Sequence, residues 1–285
     1  MSMNDLYHKE TIREVLSGAS SFLKKAELEG YAAEWLLKER FNLTKTDLVR
    51  MGSQVMPEKM KEQFLNDLHH YLEGRPVQHI VGHEWFYDRK FKVTSDTLIP
   101  RPETEEWFDR YLKTLSSKSL DVLDIGTGTG VLAISHKLER PKDQVTAVDI
   151  SSEALEIAKQ NAASMKAEVR FYLSDLTRAV RTHHYDLILS NPPYISTSEH
   201  GEMDQSVLEH EPALALFASE DGLDIYKRLA KELPSILNPE AKVILEIGYL
   251  QGQRVQNIFQ DALPNAEVEI WKDMAGQDRV VYIAI

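Results

Sequence analysis

Asp121-Val122-Leu123-Asp124-Ile125-Gly126-Thr127-Gly128-Thr129-Gly130 is the stretch on which the fold turns. Its first five residues read as a short apolar strand, and three glycines at alternate positions end it. Val131, Ile134 and Leu138 then recur at helical spacing. A second apolar run, residues 145–148, ends at Asp149, 19 residues after Gly130, and Ser151 is suited to cap the helix that follows. Strand, glycine loop, helix, strand and terminal acid in this order predict a nucleotide-binding βαβ unit. Glycines let a ligand approach the backbone, the helix start offers unpaired N–H groups, and Asp149 can accept both hydroxyls of a ribose. The expected ligand is an adenosine-containing cofactor held by Gly126, Thr127, Gly128, Thr129, Gly130 and Asp149.

The alternation continues downstream. Further strands are expected at 169–173, 186–190, 243–247, 268–271 and 279–285, with helices near 224–233 and 253–262. Apolar strands interleaved with helices predict an α/β fold, a doubly wound, mostly parallel seven-stranded sheet covered on both faces. The last two strands are too close in sequence for a crossover helix and should pair antiparallel. Upstream, residues 1–75 read as a small helical domain. Met60, Phe64, Leu68 and Leu72 form a stripe at i, i+4, i+8 and i+12 behind Pro57. Thr44 with Asp47 resembles a capping box, and Gly18 is a possible break in the first long helix. From His79 to Val93 the pattern turns to alternation with aromatic content, which predicts a β-hairpin. The expected domains are residues 1–75, a β-hairpin linker over 76–100, and a sheet domain over 101–285.

The strand at 186–190 runs straight into Asn191-Pro192-Pro193-Tyr194. Two prolines cannot continue a central strand, so the chain must leave the sheet as a stiff, extended corner. That corner displays a carboxamide, carbonyls without ladder partners and an aromatic ring. It can grip a planar group carrying an NH2; taken alone, it can equally be a strand-ending turn. Ser174-Asp175-Leu176, past the third strand, brings another carboxylate to the same edge. Asp175 can contact an adenine amino group there, with Leu176 covering the ring. Gly128-x-Gly130-x-x-Ala133 formally fits a dinucleotide pattern. A hydride-transfer site has no need of an amide-gripping corner, however, whereas methyl transfer to an amino or amide nitrogen does.

The glycine loop, Asp149 and the Asn-Pro-Pro-Tyr corner together resemble class I, S-adenosylmethionine-dependent methyltransferases acting on planar nitrogens, with their Rossmann-like methyltransferase fold. Within that class, Leu98-Ile99-Pro100-Arg101-Pro102-Glu103-Thr104-Glu105 is similar to the peptide-chain-release-factor glutamine-N5 methyltransferases, the HemK/PrmC family. So are Gly74-Arg75-Pro76, Gly82-x-Glu84-x-Phe86, Glu211-Pro212-x-Leu214-Ala215-Leu216-Phe217 and Asp278-Arg279-Val280-Val281. The resemblance implies S-adenosyl-L-methionine as cofactor, S-adenosyl-L-homocysteine as product and a release-factor glutamine amide as methyl acceptor. It makes Asn191, Pro192 and Tyr194 the catalytic group, with Asn191 also beside the cofactor, and Asn191, Pro192, Pro193 and Tyr194 the grip on the substrate amide. Residues 1–75 would then be a substrate-docking domain and 101–285 the methyltransferase domain. Two alternatives stay open, since a ribosomal-protein glutamine or an adenine N6 nitrogen in nucleic acid would fit the same corner. Where the family often has an aromatic residue after Asp175, Leu176 stands here. Arg101 and Glu103 read as helix-start and packing residues, Glu246 as part of the pocket wall, and 195–220 as a partly mobile loop over the site.

Composition narrows the partners. The 285 residues carry a net charge of −12, which argues against broad capture of nucleic acid through phosphate neutralisation. No apolar run approaches the ~20 residues of a membrane span. The start of the sequence has neither a basic leader nor an apolar core. The absence of cysteine excludes disulfides, thiolate metal sites and cysteine nucleophiles. The ten histidines show no metal-site spacing, so no metal is expected. A cytoplasmic monomer with no membrane contact, no direct nucleic-acid contact and a protein substrate is the expectation.

Overall fold

Short helices are marginal in water on their own, so the first 82 residues must be held by what they bury. In the computed structural model, which describes residues 3–285, they form α1 (Met3–Tyr7), α2 (Ile12–Lys25), α3 (Tyr31–Phe41), α4 (Lys45–Met51), α5 (Glu58–Leu72) and α6 (Val77–Val81). Val15, Ala19, Leu23, Leu36, Leu37, Phe64 and Leu68 share one core. Thr11 with Glu14 and Thr44 with Asp47 make reciprocal capping boxes at the starts of α2 and α4. Gly18 does not break α2. It sits on the buried face, and the burial of its neighbours outweighs the ~1 kcal/mol that glycine costs a helix. Arg40 ties three helices together, donating to the buried Asp67 at 2.7 Å and to the Ile80 carbonyl at 2.5 Å. These residues, with Gln205–His210, form one compact unit, and His83–Asp204 with Glu211–Ile285 form the other.

The hairpin begins later than the alternation suggested. Residues 77–81 are helical, started by Pro76 and ended by Gly82 in a left-handed conformation at φ 86°. Both are ordinary helix-boundary residues, but five residues are too few to show a period. The hairpin itself pairs β1 (His83–Phe86) with β2 (Arg89–Lys92). Tyr87 and Asp88 both have positive φ, the conformation a two-residue turn between twisted strands requires.

The second unit is built on a seven-stranded sheet. Its strands are β3 (Asp121–Ile125), β4 (Gln144–Asp149), β5 (Val169–Leu173), β6 (Tyr185–Ser190), β9 (Leu237–Glu246), β10 (Glu267–Lys272) and β11 (Asp278–Ala284). A two-residue parallel pair, β7 (Ile195–Ser196) and β8 (Phe217–Ala218), lies apart from it. The sheet order is β10-β11-β9-β6-β3-β4-β5. All neighbours are parallel except β11, which runs antiparallel to both β9 and β10, as the short 272–278 link demands. The sheet winds from β3 outward through β4 to β5, then returns to lay β6 on the other side of β3. The winding direction reverses there, where ligands of open α/β sheets bind.

Alternate residues of the central strands feed two cores. Leu123, Ile188, Val243 and Leu245 pack under the helices Asp224–Glu232 and Gly252–Ala262. Val122, Leu187, Leu189 and Ile244 pack on the other face under α7 (Pro102–Leu112) and α8 (Val131–Glu139). α9 (Ser152–Met165) follows β4. One difference from expectation is the length of β9, which starts at Leu237 rather than 243. Asn238-Pro239-Glu240 looks like a turn, and the structure accommodates it with a register irregularity against β6 and a positive φ at Glu240.

Candidate active site

Two strand ends finish level at the reversal point. Ile125 pairs with Ser190 in the β3–β6 register, and the Ser190 hydroxyl donates to the Ile125 carbonyl at 2.7 Å. The glycine loop therefore leaves β3 directly beside Asn191-Pro192-Pro193 leaving β6. A cavity of about 260 Å³ opens between them. Gly126, Thr127, Gly128, Thr129, Asp149, Asp175, Leu176, Asn191, Pro192 and Pro193 all line it. Gly130 and Tyr194 are not among its lining residues.

The loop shows why each glycine is needed. Gly126 and Gly128 have φ of 71° and 55°, and a Cβ on either would meet nothing within 4 Å. Gly130 also has a positive φ, of 85°, and is crowded besides. A Cβ there would lie 2.7 Å from Ile134 Cδ1 and 3.3 Å from the Ala158 Cβ, so it serves helix packing behind the loop. Asp149 is the loop's anchor. One carboxylate oxygen accepts the Gly128 N–H at 2.8 Å and the other the Ser151 N–H at 2.9 Å. Burial raises its pKa against the pull of those donors. Next to it Ile150, 52% exposed, presents an apolar face to the cavity.

The turn after β5 is pinned by Ser174, whose hydroxyl donates to the Leu176 carbonyl and accepts from the Ala179 N–H. This holds Leu176 at a positive φ of 48°, a conformation that costs a branched side chain energy and concentrates at functional sites. Asp175 is already engaged by Arg228, which donates to Oδ1 at 2.5 Å. Sequence reasoning had no signal for that pairing, because 53 residues separate the partners.

The Asn-Pro-Pro-Tyr corner is fixed at both ends. Asn191 Nδ2 donates to Thr104 Oγ1 at 3.3 Å, and Thr104 donates in turn to Glu246 Oε2 at 2.6 Å. The Trp107 indole N–H reaches the same oxygen at 2.8 Å. At the other end Gln251 Nε2 donates to the Tyr194 carbonyl at 2.8 Å, while Gly248 N–H donates to Gln251 Oε1. A Cβ on Gly222 would lie 2.0 Å from that carbonyl, so glycine is obligatory at this approach. Burial, and then the charge of Glu246, push the Tyr194 hydroxyl pKa well up. Among the described residues the Pro192 carbonyl accepts no hydrogen bond.

Segment 195–220 is folded into short elements rather than left irregular. Glu211 within it is buried, accepting the Ile99 N–H at 2.9 Å and an Arg101 guanidinium hydrogen at 2.6 Å. This pairing joins the Pro-Arg-Pro stretch to Pro212, Leu214 and Ala215, which complete the cavity wall. Arg101 lines the cavity; Glu103 lies away from it, in the first turn of α7. Thr104, Ile150, Gln251 and Gly222 were not singled out from sequence, although Thr104 lies inside the Pro-Glu-Thr-Glu motif.

Fold and site define a methyltransferase. Residues 109–214 match the family profile described as Methyltransferase small domain, and residues 14–82 match the PrmC N-terminal domain. The chain belongs to the release factor glutamine methyltransferase family. The protein of that name from Enterococcus faecalis is 43% identical over 94% of this chain and 96% of its own length. The one from Bacillus subtilis is 40% identical over 95% and 97%. A crystal structure of a methyltransferase from Pyrococcus furiosus, 20% identical, shares the fold with a TM-score of 0.53 over 77% of this chain and 97% of that one.

Asp124, beneath the loop, is fully buried; Oδ2 accepts from Thr127 Oγ1 at 2.6 Å and Ala133 N–H at 3.2 Å, while Oδ1 has no partner among the described residues. Burial raises its carboxyl to about 7, with the Asp149 charge adding to the effect. Between the unfolded carboxylate pKa of about 4 and this value, only the folded chain holds the proton, so stability falls as pH rises through that window. Asp124→Asn removes this slope. In urea denaturation the variant should gain on the wild type between about pH 5 and 7, by up to about 1.4 kcal/mol per pH unit. Parallel stability–pH curves would contradict the assignment.

Proposed function

We propose that this protein transfers a methyl group from S-adenosyl-L-methionine to the side-chain amide nitrogen (N5) of the glutamine in the Gly-Gly-Gln motif of peptide chain release factors, with S-adenosyl-L-homocysteine as the second product. One observation carries this conclusion: the glycine loop and the acceptors of Asn191-Pro192 share a single cavity at the reversal point of the sheet. The name borne by its relatives, release factor glutamine methyltransferase, supports the choice of acceptor. The enzyme is proposed to work in the cytoplasm as a monomer. Among the described residues no helix is long and apolar enough to cross a membrane.

The residues suit the cofactor. Gly126 and Gly128 keep open space beside the backbone, and each Asp149 oxygen has a lone pair left for one hydroxyl of a ribose. Ile150 and Leu176 offer apolar faces to an adenine ring, and the second oxygen of Asp175 remains for its amino group. The Asp149 carboxylate favours a cation nearby, whereas the Asp175 charge is already paired with Arg228. When bound, S-adenosylmethionine supplies a sulfonium-activated methyl group.

The protein's task is positioning. A glutamine amide nitrogen is a weak nucleophile because its lone pair is delocalised into the carbonyl, so alignment at near-attack distance matters most. Asn191 Oδ1 and the Pro192 carbonyl accept the two amide hydrogens, orienting the nitrogen and stabilising the positive charge that grows on it. Pro193 stiffens the corner, and Tyr194, the fourth residue of the proposed grip, fixes its far end through the carbonyl held by Gln251. The nitrogen's proton becomes acidic as the new N–C bond forms and leaves to water, so no general base is required. The helices of residues 1–75 supply a second contact to the release factor, which offers a protein-sized surface beyond its Gly-Gly-Gln loop.

With radiolabelled cofactor, label should enter a release factor, and not a ribosomal-protein mixture or DNA; label in nucleic acid would contradict the proposal. Asn191→Ala should lower turnover roughly a hundredfold with cofactor affinity little changed, and near-normal turnover would remove Asn191 from this role. Asp149→Ala should weaken cofactor binding by about tenfold or more in calorimetry, as loss of charged hydrogen bonds does; unchanged affinity would refute the ribose contact. Deleting residues 1–75 should raise KM for the release factor and spare cofactor binding. An unmoved KM would end the docking role.

A further inference from the structure

An asparagine carboxamide has an acceptor end and a donor end of nearly equal size, and a site that grips an NH2 group works with only one of them facing it. The Asn-Pro-Pro corner must therefore be told which way to turn its amide. We propose that Thr104 is the positioning residue that sets this direction, through a one-way chain of donated hydrogens running Asn191 to Thr104 to Glu246. The proposal rests on the methyl-transfer role of Asn191 given above and extends it to Thr104, which lines the cavity beside Asn191, and to Glu246, which does not.

The direction follows from the last member of the chain. The Trp107 indole nitrogen can only donate, and it donates to Glu246 Oε2. The Thr104 hydroxyl donates to the same oxygen at 2.6 Å. An Oε2 carrying its own proton would instead donate to Thr104 and free the Thr104 hydrogen, so this direction holds with Oε2 unprotonated. The single Thr104 proton is thus committed to Glu246, and its oxygen faces Asn191 as an acceptor. Only the Nδ2 end of Asn191 can meet an acceptor, as it does at 3.3 Å, while the carbonyl end would set lone pair against lone pair. Oδ1 is left free of that bond, on a residue that itself lines the cavity.

The inner members of the chain are buried, while Asn191 itself is half-buried. Thr104 is 2% exposed, Trp107 3% and Glu246 1%, so water does not compete for these hydrogens. Each partner is also rigidly mounted. Thr104 and Trp107 lie three residues apart in the first two turns of α7, which gives them one face. Glu246 ends β9, and its own backbone carbonyl accepts the Tyr226 hydroxyl at 2.7 Å. The Pro-Glu-Thr-Glu stretch thereby acquires a physical role: Pro102 starts α7 at the register that presents Thr104 to Asn191.

The test compares Thr104→Val, which keeps the shape and removes the hydroxyl, with Thr104→Ser, which restores it. In steady-state methylation of a release factor, Thr104→Val should lower kcat about tenfold, or about 1.4 kcal/mol of transition-state stabilisation. KM for the release factor and calorimetric affinity for the cofactor should stay within about twofold, and Thr104→Ser should recover most of kcat. An unchanged kcat, or cofactor affinity falling in step with kcat, would overturn the proposal. A second readout needs no substrate. In 15N spectra, the Asn191 side-chain NH2 signals, identified by their loss in Asn191→Ala, should exchange slowly with water in the wild type and Thr104→Ser and rapidly in Thr104→Val. Equal exchange in all three would also overturn it. Failure of the wild type to methylate a release factor would count against the proposed substrate alone, leaving the amide measurement to decide the direction of Asn191.

Discussion

The Ser190 hydroxyl, bonded to the Ile125 carbonyl at 2.7 Å, fastens together the two strand ends on which the site depends. β3 and β6 are far apart in the chain, yet their parallel register makes them finish level. Neither strand end is sufficient by itself. The loop after β3 offers space and backbone, and the corner after β6 offers hydrogen-bond acceptors. A shift of one residue in this register would turn alternate side chains to the opposite face and carry the corner away from the loop. The two cores on either side of the sheet oppose such a shift, because Leu123, Ile188 and Val243 belong to one and Val122, Leu187 and Ile244 to the other.

Buried carboxyl groups organise what lies above and below that junction. Asp149 holds the glycine loop, Asp124 supports it from beneath, and Glu246 anchors the chain that ends at Asn191. Desolvation raises the pKa of all three. Each is tied to N–H or O–H donors from the segment it positions, bonds that reduce but do not cancel its burial penalty. The same principle sets the loop over the site, where buried Glu211 gathers the Ile99 backbone and Arg101. Rigid acceptors inside and open acceptors facing the cavity are the arrangement expected of a site whose main work is alignment.

Much of this could be read before any coordinates. The alternation of strands and helices announced the sheet, and the glycine loop with Asp149 announced its ligand edge, because both signals are local and periodic. Local signals also misled. Asn238-Pro239-Glu240 looks like a turn but is carried within β9, and the five-residue helix before the hairpin is too short to reveal a period. The contacts missed were those between distant segments. Thr104 with Glu246, Asp175 with Arg228 and Gln251 with the Tyr194 carbonyl are separated by 142, 53 and 57 residues. Nothing in the residue types themselves announces such pairings. Gly130 shares the positive φ of the other loop glycines but does not line the cavity, and it packs against Ile134 and Ala158.

The central claim, that one sheet edge aligns an activated methyl with a glutamine amide, is most directly tested by mass spectrometry of a release factor incubated with the enzyme and S-adenosyl-L-methionine. The account predicts a single added methyl, on the side chain of the Gly-Gly-Gln glutamine and on no other residue. A methyl found on a different residue type, or an unmodified release factor after incubation with cofactor-competent enzyme, would contradict it.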